Sequence, residues 1–306
     1  MKVAALDLGT NTFLCLIAEV DASGVTKIYK DLSKVVRLGQ DIDKTGDFHP
    51  EAINRARVCL QEFKHEIELE KVDRTLAMAT SAARDAKNGS ELFKIGKELN
   101  IPIEIIPGED EARITYFGAT AGFPNSNETT LVIDVGGGST ELIVGEGCNI
   151  RMGLSLNIGG VRLTDRFIST QPVIENERKQ MKEYIKSQIH DVVDQLRQED
   201  IRHVVAVAGT PTSLAALELG GFDEKKVDGF FLKKDRLAFW VQEFGNTTVE
   251  EKKNKYQLGG RADIIFAGAS ILLELVENLN LAGLTVTTKG VRYGVALEIF
   301  KAKDAF

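Results

Sequence analysis

The stretch LVIDVGGGSTELIVGEG, residues 131–147, joins an apolar run, one carboxylate, three consecutive glycines and two hydroxyls to a second apolar run. Strand-like sequence on both sides makes it a β-hairpin turn. A glycine turn with free amides can cradle a phosphate, and an acid at its lip can hold the accompanying cation. A plain hairpin whose glycines merely supply positive φ has the same composition. The commoner phosphate loops do not fit. A Walker A loop needs Gly-Lys-Ser/Thr leading into a helix, and a dinucleotide fingerprint sets GxGxxG between strand and helix. Here TELIVGE continues as a strand, with Glu141 at its start.

The same chain holds an earlier relative of this stretch. Laid without gaps over ALDLGTNTFLCLIAE (5–19), the segment IDVGGGSTELIVGE puts Asp7 on Asp134, Gly9 on Gly136, Thr12 on Ser139, Leu16 on Ile143, Ile17 on Val144 and Glu19 on Glu146. A separation of 127 residues is too long for a solenoid repeat and right for two related domains. The expectation is that the two acidic turns face each other across a cleft and enclose an anionic ligand with its metal.

Around these turns the chain alternates strands and helices. Strands are expected at Val3 to Leu6, Phe13 to Val20 and VTKIYKDLSKVVRLG, then a helix over Pro50 to Glu70. TLAMAT opens into the polar helix start SAARDAKNGSELFKIGKELN, IPIEIIPG restores a strand, and EDEARITYFGATAG reads as a helix. An opening antiparallel hairpin followed by alternation suggests a mixed sheet with helices on its faces. Turn-forming residues cluster in FPNSNETT (123–130), the best candidate for a linker. It sets the expected domains at 1–122 and 123–306, with the last helix, about 290–304, packing back on the first.

At 306 residues, 43% hydrophobic and 27% charged, the chain suits a soluble two-domain protein. A net charge of -7 argues against a general nucleic-acid or anionic-membrane binder. The apolar run of MKVAALDLG is too short for a signal peptide, and no 18-residue apolar span occurs. Cys15, Cys59 and Cys148 lack metal-type spacing and read as buried thiols in a reducing compartment. The expected location is cytoplasmic.

Two more segments resemble phosphate features. In HVVAVAGTPTSLAALEL (203–219) a buried strand runs into Gly209 and Thr210, and Pro211 with Ser213 opens an apolar helix whose free amides would point along the strand end. TVTTKGVRYGVALEIF (285–300) repeats the pattern with Lys289 and Arg292 at the turn, where cations can meet an anion or simply face solvent.

The set DLGTNT (7–12), ATSAARDAKN (79–88), GEDEARITYFG (108–118), IDVGGGSTE (133–141), AGTPTSLAAL (208–217), RADIIFAGA (261–269) and KGVRYG (289–294) resembles the exopolyphosphatase and guanosine pentaphosphate phosphohydrolase family over nearly the whole chain. The resemblance implies the α/β fold of the actin, sugar kinase and heat-shock ATPase superfamily: two duplicated ribonuclease-H-like domains with mixed sheets flanked by helices and an interdomain cleft. It implies hydrolysis of terminal phosphoanhydride bonds, of polyphosphate or of a guanosine polyphosphate, and a homodimer.

By that resemblance Glu111 is the base, Asp134 and Glu141 are the metal-side carboxylates, and Asp7 faces the same metal. Thr10, Asn11, Gly136, Gly137, Gly138, Ser139, Gly209 and Thr210 supply phosphate-facing donors, and Arg84 neutralises phosphates further along the substrate. On the residues alone, Glu109, Asp110 and Glu111 suit a helix's first turn regardless of catalysis, and Arg84 can equally pair with Asp85 or Glu91. Magnesium, or manganese, is the expected ion, because no His or Cys cluster offers a zinc site. None of His49, His65, His190 and His203 is assigned a catalytic role.

Long members of the family carry further helical domains, and this chain stops at Phe306, so weak gripping of very long polyphosphate is expected. DLGTNT replaces the usual serines with threonines, and Asp228 stands where a histidine or asparagine is more familiar, which bears on distal substrate contacts. The alternatives are a sugar or carboxylate kinase of the same superfamily and a non-catalytic polyphosphate or nucleotide sensor.

Overall fold

Each acidic turn of the repeat sits at the tip of an antiparallel hairpin in the computed structural model, which describes residues 1–122 and 128–302. Five positions of the expected linker, 123–127, lie outside the described residues. The chain divides into two units, Met1–Phe123 with Lys289–Phe306, and Pro124–Thr288.

The first unit runs β1 (Lys2–Leu8), β2 (Thr12–Asp21), β3 (Gly24–Val35), α1 (Ile42–Thr45), α2 (Pro50–Leu69), β4 (Arg74–Ala79), α3 (Ser81–Asp85), α4 (Ser90–Leu99), β5 (Ile103–Ile105) and α5 (Gly108–Thr120). Its sheet has the order β3-β2-β1-β4-β5, antiparallel in the hairpins and parallel from β1 onward. The central strand β1 is buried on both faces, which is why VAAL reads as a continuous apolar run rather than an alternating one. Ala4, Leu6 and Leu8 pack with Phe13, Leu60, Phe63, Leu92 and Ile95. Val3 and Ala5 pack on the other face with Leu16, Ile114, Val295 and Ile299.

The second unit runs β6 (Thr130–Val135), β7 (Thr140–Glu146), β8 (Asn149–Leu156), α6 (Gly160–Phe167), α7 (Glu175–Leu196), β9 (His203–Val207), α8 (Gly209–Leu219), α9 (Glu224–Val227), β10 (Phe231–Lys233), α10 (Lys234–Asn246), α11 (Val249–Asn254), a 3-10 turn (Gly259–Arg261), α12 (Ile265–Asn278) and β11 (Gly283–Val286). Read from its hairpin edge, the order β8-β7-β6-β9-β11 repeats that of the first sheet, strand for strand, and β10 adds an antiparallel edge. Both units are therefore mixed sheets flanked by helices, built on one topology.

The last helix, α13 (Val291–Lys301), lies in the first unit, against α5 and β1. Glycines make this contact possible. A Cβ on Gly118 would lie 2.1 Å from the Gly290 carbonyl oxygen, and one on Gly294 would lie 2.0 Å from that of Ile114. Neither neighbour is the end of a flexible side chain, so backbone must move. Gly294→Ala is expected to cost about 3 kcal/mol, the upper range for overpacking. Denaturant unfolding checks this, and an unchanged midpoint would contradict the close packing.

Two sequence expectations need correction. Cys15 and Cys59 are buried as expected, whereas Cys148 is exposed, because it sits at the solvent-facing turn between β7 and β8. β3 stops at Val35, so the last residues of VTKIYKDLSKVVRLG leave the sheet. Among the described residues no helix is long and apolar enough to cross a membrane.

Candidate active site

Strand register sets the carboxylates of the repeat. In the second unit Val207, Asp134, Glu141 and Ser155 stand side by side across β9, β6, β7 and β8. In the first unit the equivalent row is Met78, Asp7, Leu14 and Ser33. The duplication thus keeps the aspartate and the serine but replaces a leucine by Glu141, so only the second unit sets two acids opposite each other. Asp134 is buried and Glu141 almost wholly so, and Ser155 Oγ donates to Glu141 Oε1 at 2.7 Å. The strands explain this burial: both acids are in-register members of central strands.

The two turns are also alike at the level of single hydrogen bonds. Gly9 N donates to the Thr12 carbonyl at 3.2 Å, and Gly136 N to that of Ser139 at 3.0 Å. In the first unit the Thr10 carbonyl accepts from Gly39 N at 2.9 Å, and the Asn11 carbonyl from Val36 N and Arg37 N at 2.9 and 2.8 Å. In the second unit Gly136 and Gly137 carbonyls are held in the same way by the segment that follows β8. The residues that leave each third strand therefore return to grip the turn. Thr10 is buried with its methyl against Gly39, and Asn11 is buried with Oδ1 lacking a partner among the described residues. Ser139 is buried as well.

Glu111 lies in the first turn of α5, buried, with Arg84 of α3 donating to its Oε2 at 2.6 Å and to the Ile106 carbonyl at 2.9 Å. Arg84 therefore pairs with Glu111, a partner 27 residues away, which adds to the sequence alternatives of Asp85 and Glu91. Burial pushes the Glu111 carboxyl above the ordinary carboxylate range, and it outweighs the opposite pull of the Arg84 guanidinium. Glu109 and Asp110 share the same helix turn but are exposed. A buried acid of raised pKa, oriented by a cation, has the character of a general base.

At the β9–α8 turn, Gly209 begins the helix as expected, and its missing side chain is occupied by Arg261. A Cβ there would lie 2.3 Å from Arg261 Nε, so the guanidinium packs against the first residue of α8. Arg261 has no ion-pair partner among the described residues, and burial lowers its pKa. A half-buried cation without a counter-charge, beside a helix N-terminus, suits an anion. Thr210 is adjacent, with Oγ1 against Gly268 of α12. Arg261, in the segment RADIIFAGA, carries no local mark of this role, and the glycine at position 209 is the one trace of it in the sequence. Gly209→Ala should displace Arg261 and raise KM for a phosphate substrate about tenfold with little change in unfolding midpoint. Steady-state kinetics beside a thermal melt would show it, and an unchanged KM would contradict it.

Arg292 corrects another expectation. It does not face an anion at an open helix start but forms a two-pronged ion pair with Asp31, at 2.8 and 2.7 Å, inside the first unit. Asp228 Oδ1 accepts from Thr287 Oγ1 at 2.6 Å and Thr288 N at 3.2 Å, so it secures the end of β11.

Among the described residues no group of three or more His, Cys, Asp or Glu side chains is arranged to hold a metal ion. The Asp134 and Glu141 pair nevertheless fits a hard cation of the magnesium type. Such ions take one or two protein carboxylates and fill the rest of their shell with water and substrate oxygens. The absence of nitrogen and sulfur donors in the row disfavours zinc.

Comparison with known proteins identifies the family. The family model for the Ppx/GppA phosphatase family matches residues 16–303. Exopolyphosphatase 2 of Mycobacterium tuberculosis is 31% identical, over 97% of this chain and 98% of its own length. The guanosine-5'-triphosphate,3'-diphosphate pyrophosphatase of Photobacterium profundum is 29% identical over 97% of this chain but only 59% of its own length. The crystal structure of an exopolyphosphatase from Cytophaga hutchinsonii superposes with a TM-score of 0.90 at 26% identity, covering 99% of this chain and 98% of that one.

Proposed function

Because this chain belongs to the Ppx/GppA phosphatase family, we propose that it is an exopolyphosphatase, releasing terminal phosphate from inorganic polyphosphate by attack of water on a phosphoanhydride bond. The observation that carries the reading is the β6–β7 turn, where glycine amides lie beside two buried, in-register carboxylates. Polyphosphate is favoured over a guanosine polyphosphate because the end-to-end match is to an exopolyphosphatase. Guanosine pentaphosphate is the second substrate of the same chemistry.

Phosphoryl transfer needs mainly positioning and charge stabilisation. Glu111 accepts the proton of the attacking water, and Arg84 fixes which of its oxygens stays free by bonding the other. The amides of Gly137, Gly138 and Ser139 receive phosphate oxygens, as do Thr10 and Asn11 in the other turn. Arg261, with the start of α8 at Gly209 and Thr210, neutralises a further phosphate. Asp134 and Glu141 would hold magnesium or manganese, which when bound would neutralise charge on the transferred phosphoryl group. The kinase alternative needs an acceptor, whereas the hydrolase does not.

The test is phosphate release from polyphosphate, guanosine pentaphosphate and ATP in parallel, without any acceptor. Fastest release from polyphosphate supports the proposal. Fastest release from the pentaphosphate would transfer the assignment to the nucleotide. Absence of release from all three, with tight binding, would leave a sensor.

A further inference from the structure

The direction of the glycine turn is set by residues outside it. All three glycine carbonyls are occupied: Gly136 O accepts from Gly160 N at 2.9 Å, and Gly137 O from Val161 N and Arg162 N at 2.8 and 3.1 Å. Gly138 O accepts from Arg162 Nε at 2.7 Å. Every donor belongs to the first turn of α6. Across a trans peptide the carbonyl and the following N–H point in opposite directions. The one cis bond among the described residues is Gln171–Pro172. Three carbonyls turned toward α6 therefore turn the N–H groups of Gly137, Gly138 and Ser139 away from it, and no described backbone carbonyl accepts from them.

The three peptides are not held equally. Those after Gly136 and Gly137 are fixed by backbone donors, and Gly159 packs so closely that a Cβ there would lie 2.4 Å from the Gly137 oxygen. The peptide between Gly138 and Ser139 is held by a side chain, Arg162 Nε. Gly138 offers no steric bar to a flip. A flip would remove the Ser139 N–H from the anion's side and present a carbonyl oxygen in its place. In the first unit the gripping donors on Thr10 and Asn11 are all backbone amides.

We propose that Arg162 is the positioning residue of the phosphate-binding turn, locking the Gly138–Ser139 peptide with its amide toward the substrate. The inference rests on the reading of this turn as a phosphate site. Arg162 acts through Gly138 and touches no reacting atom.

The test uses the full chain labelled with nitrogen-15, as wild type, Arg162→Ala and Arg162→Lys, titrated with tripolyphosphate and examined for amide exchange without ligand. Loss of a hydrogen bond from a charged donor is expected to weaken tripolyphosphate binding about tenfold. The Ser139 amide of Arg162→Ala should exchange at least several-fold faster than in wild type. KM for polyphosphate should rise about tenfold, with kcat changed by no more than about threefold. Arg162→Lys, which keeps the charge but not the Nε geometry, should restore little of this. It also provides the comparison should Arg162→Ala fold poorly. Unchanged exchange and affinity in both variants, or full rescue by lysine, would overturn the proposal. Wild-type amides at Gly137, Gly138 and Ser139 that ignore tripolyphosphate would instead remove the phosphate-site reading, while the exchange comparison would still decide whether Arg162 locks the peptide.

Discussion

Replacing Glu111 by glutamine is expected to lower kcat on polyphosphate by about two to four orders of magnitude while leaving substrate binding nearly intact, the span assigned to a general base. Glutamine preserves size and the capacity to accept from Arg84, so the loss isolates proton transfer. The pH behaviour sharpens this. Since burial raises the Glu111 pKa above the ordinary value of 4.5, the wild-type rate should fall, on acidification, through a pKa above the usual carboxylate range. Stability moves the other way. A group whose folded pKa is raised contributes stability below its unfolded pKa and loses it as pH rises through the folded one. Relative to wild type, Glu111→Gln should therefore gain stability across that same window. Steady-state rates and thermal melts against pH measure both. An unaltered rate would remove Glu111 from the mechanism, and a stability difference independent of pH would deny its raised pKa.

Asp134→Asn should have an effect of similar size by a different route. The substitution is nearly isosteric in a buried strand position, so the fold should persist. It removes one of the two acids that the β6–β7 register places opposite each other. The expected result is a fall in activity of at least two orders of magnitude and a higher half-saturating magnesium concentration, because a hard cation would lose a carboxylate. Asp7→Asn should do less, since Leu14 rather than an acid stands across from it. Chelation should abolish wild-type activity and magnesium or manganese should restore it. Full activity of Asp134→Asn at unchanged magnesium would refute the metal assignment.

The duplicated hairpin was legible because the turn demands the same residues wherever it occurs. Aspartate is the penultimate residue of the first strand, and glycine follows two positions later, where Gly9 and Gly136 make equivalent hydrogen bonds. Strand and helix identities followed from apolar periodicity, including the double-sided burial of β1 and β6. The grip of Val36, Arg37 and Gly39 on one turn, and of Gly160 to Arg162 on the other, left no mark in local pattern, because the third strand carries those residues back from a distance. Arg84 and Glu111 meet for a similar reason, being brought together across the β4–β5 connection. Arg292 was misread because a cation at a helix start looks the same whether it faces solvent or an internal partner such as Asp31. Nothing in the local sequence marks Gly118 and Gly294 as contact points, and the packing of α5 on α13 shows why they lack side chains.

The most direct measurement is the length distribution of a long polyphosphate during digestion by the wild-type protein with magnesium, resolved on a gel beside released phosphate. Attack at chain ends predicts free phosphate from the first time points and a population that shortens gradually, without a burst of mid-length fragments. Mid-length fragments appearing before phosphate, or intact polymer throughout, would contradict the assignment.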